Sequence, residues 1–394
     1  MTSTPSERIW LPPHLRGLGT TIFAEMSALA TSTGAINLGQ GFPDTDGPDA
    51  IREAAVDALR AGHGNQYPPG IGIPELRTAV AAHQQRWYGQ VVDPDSEVLV
   101  TAGATEAIAA TILALVDEGD EVIALEPYYD SYGACIAMAR GVRVPVTLRA
   151  PDFRLDVEAL RAAVTPRTRM LLVNSPHNPT GMALTDAERE AIRSVAVEND
   201  LIVVSDEVYE HLVFDNRTHV PLATLPGMAA RTVTIGSAGK TFSFTGWKIG
   251  WAIAEPSLLN AVRTTKQFLT YVSGGPFQYA VAEALALPDE YYHSFTAELQ
   301  RKRDLLSSGL AAIGFGVTVP EGTYFVTTDI RPLGFDDGLD FCRRLPGLAG
   351  VVAIPHQVFY DDIDAGRPLV RWAFCKRDDV LTQALDRLSA LSRR

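Results

Sequence analysis

The chain has 394 residues, of which 46% are hydrophobic, and its formal net charge is −13. This length is too great for one small core and predicts two domains, or one large domain with a satellite. Because the chain is acidic and has no basic run, we expect it to bind neither nucleic acid nor an anionic membrane surface.

The predicted elements begin with an N-terminal arm, residues 1–38, which is proline-rich at first and then forms a short amphipathic helix. Strand-like and helix-like segments alternate over residues 39–289. Short apolar runs such as 170–173 and 201–204 are typical of strands that are covered on both faces. This alternation predicts an α/β fold, with a mostly parallel, doubly wound sheet in a large cofactor domain.

The pattern changes in residues 290–394, where a long helix is followed by apolar segments such as 351–354 and 369–374. A last helix, over 378–391, closes a predicted smaller α+β domain. In doubly wound sheets, ligands bind at the carboxyl ends of the strands. The polar residues that follow each predicted strand of the large domain are therefore the candidate site residues.

Lys240 follows the apolar run 232–235 and is flanked by small residues. An amine that is held partly dry at a strand end has a lowered pKa and can form a Schiff base with a carbonyl. The hydroxyls of Ser237 and Thr241, together with the cation of Lys248, are phosphate-binding groups. An amine beside a phosphate cradle is what pyridoxal phosphate requires, although a plain surface lysine is the alternative.

Two further strand ends carry candidate groups. Gly103, Ala104 and Thr105 begin a predicted helix, and free backbone N–H groups at a helix start bind anions. A tight strand-to-helix turn explains these small residues equally well. Asn178 lies in a segment rich in Asn and Pro, where its amide can donate to a ring oxygen or where the segment simply forms a turn.

Asp206 follows the run 201–204, and a buried carboxylate there needs a cationic partner such as a protonated pyridine nitrogen. The phenol of Tyr209 can lie on the same side, but an Asp that caps a helix is the alternative for this segment. Tyr129 can stack on a flat cofactor or can be an ordinary core or surface residue. Arg371 lies in an apolar segment and needs an anion, either a substrate carboxylate or a structural ion-pair partner.

Together these motifs resemble the class I/II aminotransferases of fold type I, which depend on pyridoxal phosphate. The motifs that carry the resemblance are Asn178-Pro179-Thr180-Gly181, Ser205-Asp206-Glu207-Val208-Tyr209 and Ser237-Ala238-Gly239-Lys240-Thr241-Phe242. The segment 37–44 is similar to the branch that holds kynurenine and glutamine aminotransferases and cysteine-conjugate β-lyases. The segments 65–70 and 374–379 indicate the nearest likeness, which is to actinobacterial succinyldiaminopimelate aminotransferases.

The resemblance implies a cofactor role for each candidate. Lys240 tethers the cofactor and shuttles a proton, and Asp206 keeps the pyridine nitrogen protonated. Asn178 and Tyr209 bond the phenolic oxygen, and Tyr129 stacks on the ring. The residues that hold the phosphate are Gly103, Ala104, Thr105, Ser237 and Lys248, where many relatives carry Arg in place of this last lysine.

The resemblance also implies how substrate is bound. Arg371 binds the α-carboxylate with help from Asn178 and the backbone of Gly41, and Phe23 lies beside it. Tyr67 reaches the phosphate in the neighbouring subunit, which implies a homodimer with shared active sites.

The resulting function is that of an aminotransferase acting on small molecules. It moves the amino group of an L-amino acid, either N-succinyldiaminopimelate or an aromatic or glutamine-like donor, to a 2-oxo acid such as 2-oxoglutarate. A cysteine-S-conjugate β-lyase is the alternative, because the same carbanion expels a leaving group. A cofactor-binding transcriptional regulator would need an N-terminal DNA-binding domain, and the arm has no such pattern.

The remaining sequence features concern location and metals. Cys135, Cys342 and Cys375 form no CxxC pair and no metal-binding spacing, so we expect reduced thiols and no metal. The polar segment 1–10 lacks the apolar core of a signal peptide, and no stretch reaches the roughly 18 apolar residues of a membrane span. We therefore expect a cytoplasmic protein.

Overall fold

The computed structural model describes residues 10–393. Its α-helices are α1 (Ile22–Thr33), α2 (Asp49–Arg60), α3 (Pro74–Tyr88), α4 (Gly103–Leu115), α5 (Asp130–Met138), α6 (Val157–Ala162), α7 (Asp186–Glu198), α8 (Ala238–Thr241), α9 (Pro256–Lys266), α10 (Gly275–Leu285), α11 (Asp289–Ile313), α12 (Gly338–Ala349), α13 (Ile363–Gly366) and α14 (Asp378–Leu388). Its strands are β1 (Ile36–Asn37), β2 (Val98–Thr101), β3 (Glu121–Glu126), β4 (Val142–Thr147), β5 (Thr168–Asn174), β6 (Ile202–Asp206), β7 (Thr232–Ser237), β8 (Gly250–Ile253), β9 (Gly316–Thr318), β10 (Phe325–Asp329), β11 (Val351–Val352), β12 (Ile354–Pro355) and β13 (Leu369–Ala373). Short 3₁₀ turns lie at Pro13–Leu15, Leu222–Thr224, Thr245–Trp247, Arg331–Leu333, His356–Phe359 and Ser389–Arg393.

A seven-stranded sheet in the order β2-β8-β7-β6-β5-β3-β4 forms the centre of the fold. The strands from β7 to β4 are parallel, and only β8 runs antiparallel to its two neighbours. The predicted mostly parallel sheet is thus confirmed. The strand that contains Pro145 is the edge strand β4, where a residue without a backbone N–H is tolerated.

The two faces of this sheet pack against different helices. Leu171 and Val203 belong to one buried cluster with Ile192 of α7. Their neighbours Met170 and Val204 point the other way, into a cluster with helices α4, α5 and α9. Because successive residues of a strand face opposite sides, continuous apolar runs are required where both sides are covered.

The C-terminal part of the chain builds a second sheet, which has four antiparallel strands in the order β12-β13-β10-β9. The segment 351–354, which we expected to be one apolar element, divides into β11 and β12. The first of these pairs in parallel with β1 of the N-terminal arm, whereas the second joins the four-stranded sheet. The predicted domain boundaries after residues 38 and 289 stay a prediction.

The N-terminal segment, the helices and the cysteines bear on the expected location of the protein. Residues 1–9, which make up most of the segment without a signal-peptide core, lie outside the described residues. Within residues 10–393, no helix is both long and apolar enough to cross a membrane. Cys135, Cys342 and Cys375 are all free and buried.

Candidate active site

A cavity of about 1030 Å³ opens at the carboxyl ends of β5, β6 and β7, where the seven-stranded sheet meets α1 and the four-stranded sheet. It brings together the candidate site residues with two exceptions, Tyr67 and the buried Thr241, so the expected phosphate-binding role of the Thr241 hydroxyl is wrong. The residues that line it are Phe23, Gly41, Gly103, Ala104, Thr105, Tyr129, Asn178, Asp206, Tyr209, Ser237, Lys240, Lys248 and Arg371. This is the strand-end location that a doubly wound sheet predicts.

Lys240 lies on α8, a single helical turn that directly follows β7. Ser237 begins this turn, because its side chain accepts a hydrogen bond from the N–H of Gly239 at 3.2 Å. The Nζ atom of Lys240 lies 5.7 Å from the ring centroid of Tyr209 and 5.6 Å from that of Tyr324. Burial lowers the pKa of Lys240 to about 8, so a substantial neutral fraction is present near neutral pH.

Asp206 is the last residue of β6, and its carboxylate is buried. It accepts hydrogen bonds from the Tyr132 hydroxyl at 2.6 Å and from the N–H of Val208 at 3.3 Å. Burial raises the pKa of Asp206 to about 6, and these bonds oppose the rise. Among the described residues no Lys or Arg forms an ion pair with Asp206, so a cationic ligand would find an unpaired carboxylate here.

The helix-cap alternative for Asp206 is wrong. Residues 208–211 form turns rather than a helix, so the carboxylate does not cap a helix. These turns carry Tyr209 back toward the cavity.

The N-terminus of α4 and Lys248 form a compact anion-binding corner. Lys248 Nζ donates to Thr105 Oγ1 at 3.3 Å, and it would lie 3.2 Å from a Cβ placed on Gly103. Gly103 has a φ of +72° and Gly250 would clash with its backbone if it carried a Cβ. Free N–H groups at a helix start beside a lysine favour a phosphate-sized anion.

Arg371 lies on β13 with only 1% of its surface exposed. Its Nη1 donates to Asn178 Oδ1 at 2.9 Å, and its Nη2 donates to the carbonyl of Gly39 at 2.8 Å. Its Nε has no hydrogen-bond partner in residues 10–393, and burial lowers the pKa of Arg371 to about 10. A buried guanidinium with a free donor requires an anion.

The alternative of a structural ion pair for Arg371 is wrong for the described chain, because its hydrogen-bond acceptors are the Asn178 amide oxygen and the Gly39 carbonyl rather than a carboxylate. Aromatic rings surround the guanidinium instead. Its Cζ lies 4.0 Å from the ring centroid of Phe325 and 5.1 Å from that of Phe23. These rings exclude water and leave a carboxylate-bearing ligand as the natural partner.

The other candidates border the same space. The ring centroids of Phe23 and Tyr129 lie 6.5 Å apart. A Cβ on Gly41 would come within 2.6 Å of Phe325, so only glycine fits there. Because Asn178 accepts from Arg371 through Oδ1, its side-chain NH₂ group stays available as a donor.

Tyr67 lies outside the cavity in this single chain. Its side chain is 82% exposed, and its ring packs edge-on against Tyr271 at 5.7 Å. The role that the resemblance implies for Tyr67 involves a neighbouring subunit and stays a prediction.

Two cavity residues were missed by the sequence reasoning. Asn174 ends β5, donates to the backbone carbonyl of Asp206 at 2.8 Å and accepts from the N–H of Asn178 at 2.7 Å. Tyr132 donates to Asp206 from α5. Signals for both exist, because Asn174 is the polar residue that ends an apolar strand and Tyr132 follows Tyr129 by three residues.

Comparison with known proteins identifies the family. The family model for aminotransferase class I and II matches residues 33–388. The Mycobacterium tuberculosis protein named probable N-succinyldiaminopimelate aminotransferase DapC is 54% identical over 97% of this chain and 98% of its own length. The methionine aminotransferase of Escherichia coli (strain K12) is 40% identical over 95% of this chain and 96% of its own.

A solved structure agrees with these relatives. The N-succinyldiaminopimelate aminotransferase from Mycobacterium tuberculosis superposes with a TM-score of 0.94 at 55% identity, covering 97% of this chain and all of that one. These relatives are aminotransferases, so the comparisons do not favour the β-lyase alternative. The chain is an aminotransferase and belongs to the class I and II family.

Proposed function

We propose that this aminotransferase uses pyridoxal 5′-phosphate and takes N-succinyldiaminopimelate as its amino donor, with 2-oxoglutarate as the acceptor. The observation that carries the chemistry is the presence of Lys240, Asp206 and Arg371 in one cavity. The observation that supports the donor is the identity of 54% with a protein named for that substrate.

The cavity fits the cofactor at three points. The unpaired carboxylate of Asp206 suits a protonated pyridine nitrogen. The α4 N-terminus with Lys248 suits the phosphate, and the amine of Lys240 suits the aldehyde. When bound, the cofactor supplies an electron sink for the negative charge that develops at the α-carbon of the substrate.

The protein's own groups position the substrate and move the proton. Arg371 holds the α-carboxylate through its free Nε and thereby fixes the orientation of the α-carbon. Lys240 Nζ takes the α-proton of the donor and, in the opposite half-reaction, returns a proton to that carbon of the 2-oxo acid. Its pKa of about 8 suits both directions, since both protonation states are populated near neutral pH.

The outer part of the cavity supports a donor with distal carboxylates. Arg143 and Arg343 also line the cavity. Arg343 pairs with Glu25 of α1 at 2.7 Å, and Arg143 binds Asp361 through two nitrogens. N-succinyldiaminopimelate carries two carboxylates beyond the reacting α-amino acid group, and guanidinium groups are suitable partners for them.

A donor panel tests the proposal. The purified enzyme with bound cofactor is assayed with 2-oxoglutarate and each of N-succinyldiaminopimelate, kynurenine, glutamine and methionine. We expect kcat/KM for the succinylated donor to exceed the others by at least about tenfold. A higher value for methionine or kynurenine would reject the donor while leaving the aminotransferase chemistry intact.

We also propose a cytoplasmic homodimer in which Tyr67 reaches the phosphate of the partner's cofactor, with the large domain at 39–289 and the small domain at 290–394. Exposed aromatic side chains support a buried surface in an assembly, namely Tyr67, Tyr271, which packs against it, and Phe268, which precedes Tyr271 by three residues. The three free, buried cysteines support a reducing compartment. Light scattering coupled to size exclusion tests the dimer, and a monomeric mass would contradict it.

A further inference from the structure

A second cluster of ionisable side chains lies outside the active-site cavity, between α3 and the turns that follow β6. His83 of α3, together with Glu210 and His211 of the turns, offers ligand atoms that all lie within 4.8 Å of one another. His83 and Glu210 are buried, and His211 is 9% exposed. None of the three lines the active-site cavity.

We propose that His83, Glu210 and His211 bind one zinc ion. Imidazole nitrogen and carboxylate oxygen are zinc ligands, and three protein ligands with a water complete a tetrahedral site. In the structure, His83 Nε2 and His211 Nε2 are 2.7 Å apart. Zinc bonds of about 2.1 Å would hold these two atoms about 3.4 Å apart, so the rings need to separate by less than ~1 Å.

Without a metal, buried polar atoms in and beside the cluster lack hydrogen-bond partners. A hydrogen bond between the two imidazoles requires that at least one of them be neutral, because one ring nitrogen must accept the bond. His83 Nδ1 and Trp87 Nε1 have no hydrogen-bond partner among residues 10–393. The ring centroids of Trp87 and His211 are 4.9 Å apart, so this indole packs directly against the proposed site.

The charge of the neighbourhood also favours a cation. Glu207 has a partner, because His219 Nε2 lies 2.8 Å from its carboxylate. Glu210 faces the Tyr88 hydroxyl and has no ion pair with a Lys or Arg of the described chain. A divalent ion would supply the missing positive charge, and a neutral imidazole nitrogen is the form of histidine that binds zinc.

The site would act structurally rather than in the reaction. It would join α3 to the turns that contain Tyr209 and that follow Asp206 directly. Because a metal that binds only the folded chain stabilises it, zinc would hold this cofactor-side segment in place.

Calorimetric titration of the chelator-treated holoenzyme with zinc tests the proposal, with elemental analysis of the gel-filtered product. We expect one zinc per chain and a Tm about 3 °C higher at a hundredfold excess over the Kd. The variants His83→Gln and His211→Gln should each weaken binding by more than about 100-fold. His293→Gln is the matched control, because His293 also packs near Trp87 but lies outside the trio.

Cobalt(II) gives a second readout that does not depend on stability, since tetrahedral coordination produces intense visible absorption. Loss of this spectrum in His83→Gln, with a native circular dichroism spectrum, supports the site. Failure of the wild-type chain to retain zinc, or equal retention by His83→Gln, would overturn the proposal and leave a hydrogen-bonded histidine pair.

Discussion

The cofactor side and the substrate side of the active-site cavity are built in different ways. On the cofactor side, Asp206 and Ser237 end the neighbouring strands β6 and β7, whose backbone pairing fixes their positions. On the substrate side, Arg371 is held by Asn178 and Gly39, which are 193 and 332 residues away in the sequence. One side depends on a single sheet, whereas the other depends on contacts between distant parts of the chain.

This difference indicates which side of the cavity determines specificity for the amino donor. The strand-end groups act on the part of the reaction that every amino donor shares, so their loss should reduce turnover of all donors alike. The outer groups are Arg343 of α12, which pairs with Glu25 of α1, and Arg143 of the edge strand β4, which binds Asp361. They lie away from the central strands β5, β6 and β7 and can vary with little effect on them. The substitutions below test that division.

Lys240→Ala should have the largest effect, because it removes the base that moves the α-proton. We expect kcat to fall by at least ~10⁴-fold for every donor. Lys240→Arg is the matched control: it keeps the positive charge but does not deprotonate at neutral pH, so it should be equally inactive. Substantial turnover by either variant in a steady-state assay would contradict the assignment.

Asp206→Asn should come next, since it removes the buried negative charge and keeps the shape of the side chain. Loss of a buried charge pair costs about 3–5 kcal/mol, which corresponds to a fall of roughly 150-fold to 5,000-fold in kcat/KM. Tyr132→Phe removes only one hydrogen bond to this carboxylate and should cost about tenfold or less. Similar losses in the two variants would show that hydrogen bonding, rather than charge, is what Asp206 provides.

Arg371→Met should mainly affect binding, because it removes the anchor of the α-carboxylate. A hydrogen bond to a charged group contributes about 1.5–3 kcal/mol, so we expect kcat/KM to fall by about 10–100-fold for all donors. Binding of the α-carboxylate by Arg371 requires that kcat/KM fall by the same factor for succinylated and unsubstituted donors. A fall in kcat/KM for one donor only would show that Arg371 recognises the donor side chain rather than the α-carboxylate.

The two sides also differed in how far the sequence could predict them. The strand ends were predictable, because an apolar run followed by Asp206 or Lys240 indicates both the strand and its carboxyl end. The choice between a helix cap and a cofactor carboxylate at Asp206 was not, because it depends on Tyr132, which is 74 residues away. The turns at 208–211 that exclude the helix cap are likewise visible only in the fold.

Contacts between remote segments set the limit elsewhere. The ion-pair alternative for Arg371 could be rejected only when its surroundings were known. The histidines of the proposed zinc site lie 128 residues apart and have no motif spacing. The apolar run 351–354 gave no sign that it divides between two sheets, since local apolarity does not specify a pairing partner.

Arg343→Gln should have a smaller and selective effect. Its ion pair with Glu25 is partly exposed, and such interactions contribute up to about 1 kcal/mol, or roughly fivefold. We expect kcat/KM for N-succinyldiaminopimelate to fall by about that factor and the value for methionine to stay unchanged. Equal effects on both donors would mean that Arg343 supports α1 rather than a distal carboxylate.

The smallest predicted effect is the pH dependence of the rate at which the cofactor-free chain binds pyridoxal phosphate. Burial lowers the pKa of Lys240 to about 8, and only the neutral amine attacks an aldehyde. The neutral fraction therefore rises by about threefold between pH 7.5 and 8.5 and then levels off. Stopped-flow absorbance of the cofactor-free chain mixed with pyridoxal phosphate measures this rate.

An ordinary lysine, whose pKa is near 10.5, would behave differently over the same range. Its neutral fraction would rise by about tenfold per pH unit and would not level off below pH 10. Asp206, with a pKa raised by burial to about 6, is ionised throughout this range and adds little to the slope. A binding rate that is constant above pH 9 would thus assign the pH dependence to the buried Lys240. A rate that continues to rise tenfold per pH unit would show that the attacking amine is exposed to solvent, in contrast to the burial in the structure.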